Sequence, residues 1–140
     1  MDPLSITAGV IAVVGAAQDA GKSSLKFLRT VKNAPGELQD LIHEVDQIEA
    51  VLEDVKDAVE SSQRSSRALN LLLERAKEKL VELDKLIHYE LVKPKEVVRV
   101  DRVAWATHQK HVVRLREELR NIRHDITAVL AAGSLYVLLT

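Results

Sequence analysis

The chain has 140 residues, which suits one domain with a modest core, and its lack of cysteine excludes disulfides and thiolate metal sites. Apolar residues make up 46% and aromatic residues only 3%, so the core has to come from leucine, valine, isoleucine and alanine. Net charge is −1 but uneven: +2 over residues 1–34, −7 over residues 35–90 and +4 over residues 91–140. Because the basic excess is small and has no interleaved aromatic residues, we expect no nucleic-acid partner.

The first predicted element is residues 4–17, LSITAGVIAVVGAA, which contain no charged residue. Asp2 suits the N-cap and Pro3 the first position of a helix. No basic residue precedes the apolar run, so it does not read as a signal peptide, and as a helix of about 21 Å it falls short of the ~30 Å hydrocarbon core of a bilayer. We therefore expect a leader helix over residues 1–20 that is buried in protein or inserted shallowly into a membrane.

Small residues recur along this leader at the spacing of one helix ridge, at Ala8, Ala12 and Ala16, and Gly9 and Gly15 lie on other faces. Small residues let a second backbone approach closely, as in membrane helix packing. They also suit a tightly packed bundle, and the sequence does not decide between these two interpretations.

A bend is predicted at residues 18–21, followed by a short amphipathic helix over residues 22–32. One side of this helix is apolar, and another carries Lys22, Lys26 and Arg29 at the spacing i, i+4, i+7. An apolar face beside a basic stripe suits anionic lipid headgroups. An ordinary solvated helix face would show the same pattern.

The remaining chain predicts long helices whose apolar residues alternate spacings of three and four. Their predicted bounds are 35–61, 66–91 and 99–132, with an apolar tail over residues 133–140. The short polar connection at residues 61–66 predicts that the first two are antiparallel neighbours, and Trp105 is expected to close one end of the core. The sequence thus predicts a single all-α domain over residues 1–140: an antiparallel helical bundle of four to five helices with a hydrophobic N-terminal helix.

Patterns that suggest catalysis or metal binding are incomplete. Residues 16–23, AAQDAGKS, fit a relaxed phosphate-loop pattern, but they lack one glycine of the pair and no later strand supplies a metal-binding acid. His108 and His111 are spaced i, i+3 without further ligands, and Glu117 and Glu118 do not face each other on a helix. We therefore predict a protein that is not an enzyme and that has no cofactor and no metal.

The opening MDPLSITAGVIAVVGAA, the following KFLRTVKNAPGELQDLIHEV and Trp105 resemble the HeLo-like N-terminal domains of fungal NLR-type (STAND) receptors and their cell-death effectors. Those domains are helical bundles similar to the four-helix killer domain of mixed-lineage-kinase-like pseudokinases. The resemblance implies that an activating receptor or amyloid motif releases the N-terminal helix, after which the domain moves from the cytoplasm to the plasma membrane and oligomerises. Neither an amyloid motif nor a nucleotide-binding module occurs in these 140 residues, so the trigger stays open.

The sequence and the resemblance together predict a membrane-targeting cell-death execution domain that binds anionic lipids and associates with itself. The residues expected to insert into the membrane are Leu4, Ile6, Gly9, Val10, Ile11, Val13, Val14 and Gly15, with the two glycines as glycine-zipper-like positions. The residues expected to dock on lipid headgroups are Lys22, Lys26 and Arg29. The alternative is a cytosolic helical adaptor that signals by protein–protein interaction.

Overall fold

The computed structural model of the chain describes residues 3–31, 35–62, 65–93, 99–100 and 102–139. Within them it contains four α-helices, which confirms the predicted all-α bundle. The helices are α1 (Pro3–Leu28), α2 (Gly36–Ser62), α3 (Arg67–Leu86) and α4 (Arg102–Leu139). One π-helical turn, Ile87–Leu91, continues α3, and two short antiparallel strands follow, β1 (Val92–Lys93) and β2 (Arg99–Val100).

The apolar seams read from the sequence form the core of the bundle. On α2 the seam from Leu38 to Val59 is buried throughout, and α3 buries a matching stripe from Leu69 to Leu86. Ser66 caps α3 by accepting a hydrogen bond from the backbone N–H of Leu69 at 3.1 Å. Trp105 is half-buried and packs against this core.

Helices α1 and α4 each pack against both α2 and α3, whereas α2 and α3 make few close backbone contacts with each other. Side-chain pairs give the directions. Gln18 on α1 pairs with Glu53 on α2, and Arg29, directly after α1, pairs with Asp46, so these two helices are antiparallel.

The fourth helix is antiparallel to α3, because Lys79 pairs with Glu118 and Glu82 with His111. It runs parallel to α2. The prediction that the α2 and α3 segments are direct neighbours is therefore wrong: they are antiparallel but occupy diagonal corners of the bundle, because α1 and α4 separate them.

Three predicted boundaries also differ. The bend at residues 18–21 and the separate helix over residues 22–32 are absent, since α1 continues through both to Leu28. Tertiary packing of the buried Ala17, Ala20 and Leu25 outweighs the cost of about 1 kcal/mol for Gly21 inside a helix. Likewise α4 continues past residue 132 to Leu139, where the sequence predicted a break and a tail.

Candidate functional site

The inner face of α1 is part of the bundle core. Val10, Val14 and Ala17 are buried near its start, and Leu25 and Leu28 are buried near its end. Because α1 bridges α2 and α3, these side chains fill the space between two helices that contact each other little. From Val10 onward the helix is therefore a structural member of the resting bundle and not a loosely attached leader.

Over residues 8–16 the outer face of the same helix is uncharged and wholly or partly exposed. Ala8, Gly9 and Ala12 are exposed, and Gly15 and Ala16 are half-buried. Asp19 is the first charged residue of the helix. This outer face, residues 8, 9, 12, 15 and 16, thus presents only glycine and alanine over more than two helical turns, and the prediction that Gly9 and Gly15 lie on faces other than the alanine ridge is wrong.

The outer face of α2 shows what a solvated helix of this protein looks like. It is exposed and strongly acidic over its whole length. Its exposed acids are Asp40, Asp46, Glu53, Asp54, Asp57 and Glu60. Since solvent-facing helix surfaces are normally charged or polar, the contrast with α2 makes the outer face of α1 a candidate contact surface.

The structure divides the eight predicted insertion residues between these two faces. Gly9 is exposed, Ile11, Val13 and Gly15 are half-buried, and Val10 and Val14 are buried in the core. Leu4 and Ile6 belong to α1 by their backbone, but their side chains lie outside the described residues. The half-buried Ile11 and Val13 pack at the edge of the core.

The glycines of α1 have two different environments. A Cβ atom built on Gly9 or Gly15 would meet no atom within 4 Å, so the fold does not need a glycine at either position. Gly21 is buried, and a Cβ atom there would overlap the carboxyl group of Glu49 on α2. Of the three glycines of α1, Gly21 is the one whose Cβ position is occupied, by the end of the Glu49 side chain.

The predicted headgroup-binding residues follow the outer face toward the end of α1. Lys22 and Lys26 are exposed. The guanidinium of Arg29 lies 2.6 Å from a carboxylate oxygen of Asp46, and both side chains are about half exposed. In the resting bundle Arg29 therefore forms an ion pair with α2. Lys22 and Lys26 are the cations more accessible to a lipid headgroup.

Sequence reasoning did not find the acidic seam between α1 and α2. There the side-chain amide of Gln18 donates to Glu53 at 2.8 Å, and one turn away the carboxyl of Glu49 lies against Gly21. The Oε1 atom of Glu49 is buried without a hydrogen-bond partner among the described residues. The sequence did contain a signal for this contact. Ala17, Gly21 and Ser24 form a ridge of small residues, which allows a neighbouring helix to approach closely.

The pKa of Glu49 is raised from 4.5 to about 7. Burial is the main cause, because it disfavours the charged form. The positive charge of Lys22 acts in the opposite direction, while nearby carboxylates add to the rise. Those carboxylates belong to Asp19, Asp46 and Glu53.

The residues whose pattern suggested phosphate or metal binding lie on α1 and α4. Residues 16–23 are entirely helical, so their backbone does not form a phosphate-binding loop. His108 lies 3.3 Å from Glu90 and His111 lies 2.7 Å from Glu82, so the two imidazoles face separate acids. No group of three or more metal-binding side chains occurs among the residues that the structure describes.

Across the described ranges, every helix is either too short or too polar to cross a bilayer. Helix α1 has 26 residues and is longer than the stretch predicted from the sequence, but Asp19, Lys22 and Lys26 lie within it.

Fold and site together define a four-helix domain whose first helix is buried on one side and, over residues 8–16, uncharged on the other. The family model for the N-terminal domain of the pigment biosynthesis cluster protein PigL (PigL_N) matches residues 1–109, and the chain belongs to this family. The matched region covers α1 to α3 and the first turns of α4. No curated protein and no solved structure matches the chain.

Proposed function

We propose that this domain is a membrane-targeting, HeLo-like execution domain of fungal cell-death signalling, in which α1 is the membrane-active element. The observation that carries the proposal is the uncharged outer face of α1 next to the exposed Lys22 and Lys26. An amphipathic helix with small and apolar residues beside a basic stripe suits the interface of an anionic bilayer. The matched family model is that of a fungal pigment-cluster protein and not of a HeLo-like domain. Membership of this family is compatible with the HeLo-like assignment.

The proposed mechanism has two steps. In the first, the bundle docks on anionic lipid through the outer face and the two lysines, with α1 still packed on α2 and α3. In the second, an activating receptor or partner releases α1 and the domain oligomerises. Release exposes Val10, Val14, Leu25 and Leu28, and inserting them in the bilayer regains about 1.5–3 kcal/mol for each, which offsets the lost packing.

Vesicle flotation tests the proposal. The full chain is mixed with vesicles of neutral lipid or of neutral and anionic lipid, and the bound fraction is measured at low and high salt. We expect binding to the anionic vesicles only, weakened by salt, since the docking step is electrostatic. Equal recovery with both vesicle types, or no recovery with either, contradicts the proposal.

The alternative is a cytosolic helical adaptor, and one observation favours it. Gly9 and Gly15 leave open space at the surface of α1, into which the backbone of a partner helix fits closely. An adaptor predicts a stable complex in solution and no lipid preference. Light scattering of the chain with and without anionic vesicles therefore separates the two functions.

A further inference from the structure

One oxygen of the Glu49 carboxyl group lies in the contact between α1 and α2 without a hydrogen-bond donor among the described residues. Its Oε1 atom is buried, has no partner among the described residues and sits where a Cβ atom of Gly21 would be. A neutral acid tolerates such a place far better than a carboxylate, because the charge loses its water without gaining a donor. The contact between the two helices is thus sensitive to the protonation of one group.

The charged groups that act on Glu49 come from both helices of this contact. Asp19 and Lys22 lie on α1, and Asp46 and Glu53 lie on α2. Of these, only Lys22 favours the carboxylate, and it is exposed to solvent, which weakens its effect.

Helix α4 also packs on α2, but its cations face other acids. Arg116 lies 3.3 Å from Asp40, and Arg123 lies 2.6 Å from Glu44. Neither guanidinium is among the charges that act on Glu49. The charges that act on the protonation of Glu49 therefore come from α1 and α2. Three carboxylates favour its neutral form, and one lysine favours the carboxylate.

We infer that Glu49 makes the docking of α1 on α2 depend on pH, with the neutral carboxyl holding the two helices together and the carboxylate loosening them. This pH dependence is a property of the resting bundle in water. It does not depend on whether α1 afterwards contacts lipid, and the experiments that test it contain no lipid.

The direction follows from proton binding. With α1 detached, Glu49 is solvated and its pKa is near the ordinary 4.5, whereas in the docked state the pKa is about 7. Between these values the docked state binds more protons, so raising the pH favours detachment. The docking of α1 on α2 is therefore strongest below pH 4.5 and weakens as the pH rises from 4.5 to about 7. Above about pH 7 it does not weaken further.

Amide hydrogen exchange of the full chain tests this inference. Exchange of α1 peptides is followed by mass spectrometry from pH 5 to pH 8 and corrected for the intrinsic rate, with α4 peptides as the internal reference. Between pH 5 and pH 8 the pKa difference would change the opening constant of α1 about 70-fold, and partial exposure of Glu49 reduces our expectation to the order of tenfold. An opening constant of α1 that is independent of pH overturns the inference.

Two variants and one control assign the effect to Glu49. Glu49→Gln keeps the shape without the titration, and Gly21→Ala pushes the carboxyl toward solvent, so both should abolish the pH dependence. Asp54→Asn removes an exposed acid from the same helix and should keep it. Retention of the wild-type dependence in Glu49→Gln contradicts the inference.

A direct titration decides the matter even where a variant fails to fold. The carboxyl carbon of Glu49 is followed by NMR in the wild-type chain. A midpoint near 7 that coincides with the change in α1 exchange supports the inference, and a midpoint near 4.5 overturns it.

Discussion

Arg123 on α4 binds Glu44 on α2 through two nitrogen–oxygen contacts, 2.6 Å from Nε and 3.3 Å from Nη2. The side chain of Glu44 is 8% exposed and that of Arg123 is 19% exposed, so the pair is nearly withdrawn from water. Such bidentate pairs are geometrically specific. This one fixes α4 beside α2 independently of α1.

Arg123→Ala should destabilise the bundle by about 2–4 kcal/mol, because it leaves the buried carboxylate of Glu44 without its partner. Urea unfolding followed by circular dichroism measures the loss. Arg116→Ala is the matched control: its pair with Asp40 is more exposed and should contribute less than about 1 kcal/mol. Equal losses in the two variants would show that burial of the Arg123 pair is not what matters.

Gly9→Ala and Gly15→Ala should each stabilise the resting bundle by about 0.5–1 kcal/mol. Both positions are helical and open, so alanine removes the entropic cost of glycine without a clash. If the outer face of α1 receives a second helix or inserts among lipids, the same changes should reduce self-association or vesicle leakage. A loss of thermal stability in either variant would mean that the fold itself needs the glycine.

Val14→Ala should cost about 2 kcal/mol, because it removes two methyl groups from a fully buried side chain. Ala12→Ser, on the exposed side of the same helix, should change the free energy of unfolding by less than about 0.5 kcal/mol. Urea unfolding of both variants makes the comparison. Similar effects at the two positions would contradict the inner and outer faces assigned to α1.

Deleting residues 1–20 should abolish cooperative unfolding, because the deletion removes the buried Val10, Val14 and Ala17 and most of one of the two helices that bridge α2 and α3. Circular dichroism with thermal melting provides the measurement. This shortened chain is therefore unsuited to testing membrane activity, for which point substitutions on the outer face are needed. A sharp melting transition in it would show instead that α1 is dispensable to the bundle.

Lys26→Ala should weaken binding to anionic vesicles about fivefold at physiological salt, in line with about 1 kcal/mol for each basic residue near an anionic surface. Lys26 is exposed on α1 and lies outside the set of charges that act on Glu49. Lys110→Ala removes an exposed lysine from α4 and should leave binding unchanged. If both variants bind equally well, headgroup contact is not located on α1.

The long helices were predictable because their apolar spacing is regular and their ends are marked. The predicted bounds 35–61 and 66–91 agree with α2 and with α3 plus its π-helical turn to within a residue or two. The continuity of α1 was not predictable from local signals. Gly21 looks like a break, and only the packing of Ala17 and Ala20 between two other helices shows why it is not one.

The position of the candidate site on α1 was predictable from the sequence. Which of its residues are buried and which are exposed was not. The uncharged stretch and the basic stripe can be read from the sequence, whereas the burial of Val10 and Val14 depends on the diagonal placement of α2 and α3. Glu49 resembles the other acids of α2 in sequence. Its burial follows from the close approach of Gly21, which only the tertiary structure supplies.

The most direct measurement is dye leakage from anionic vesicles with Ala12→Glu and Ala50→Glu compared with the unchanged chain. Both alanines are exposed in the middle of a helix, Ala12 on the outer face of α1 and Ala50 on α2, so the two variants carry the same new charge and should fold. If α1 is the membrane-active element, Ala12→Glu abolishes leakage and Ala50→Glu keeps it. Equal leakage from the two variants, or none from the unchanged chain, would contradict a membrane role for α1.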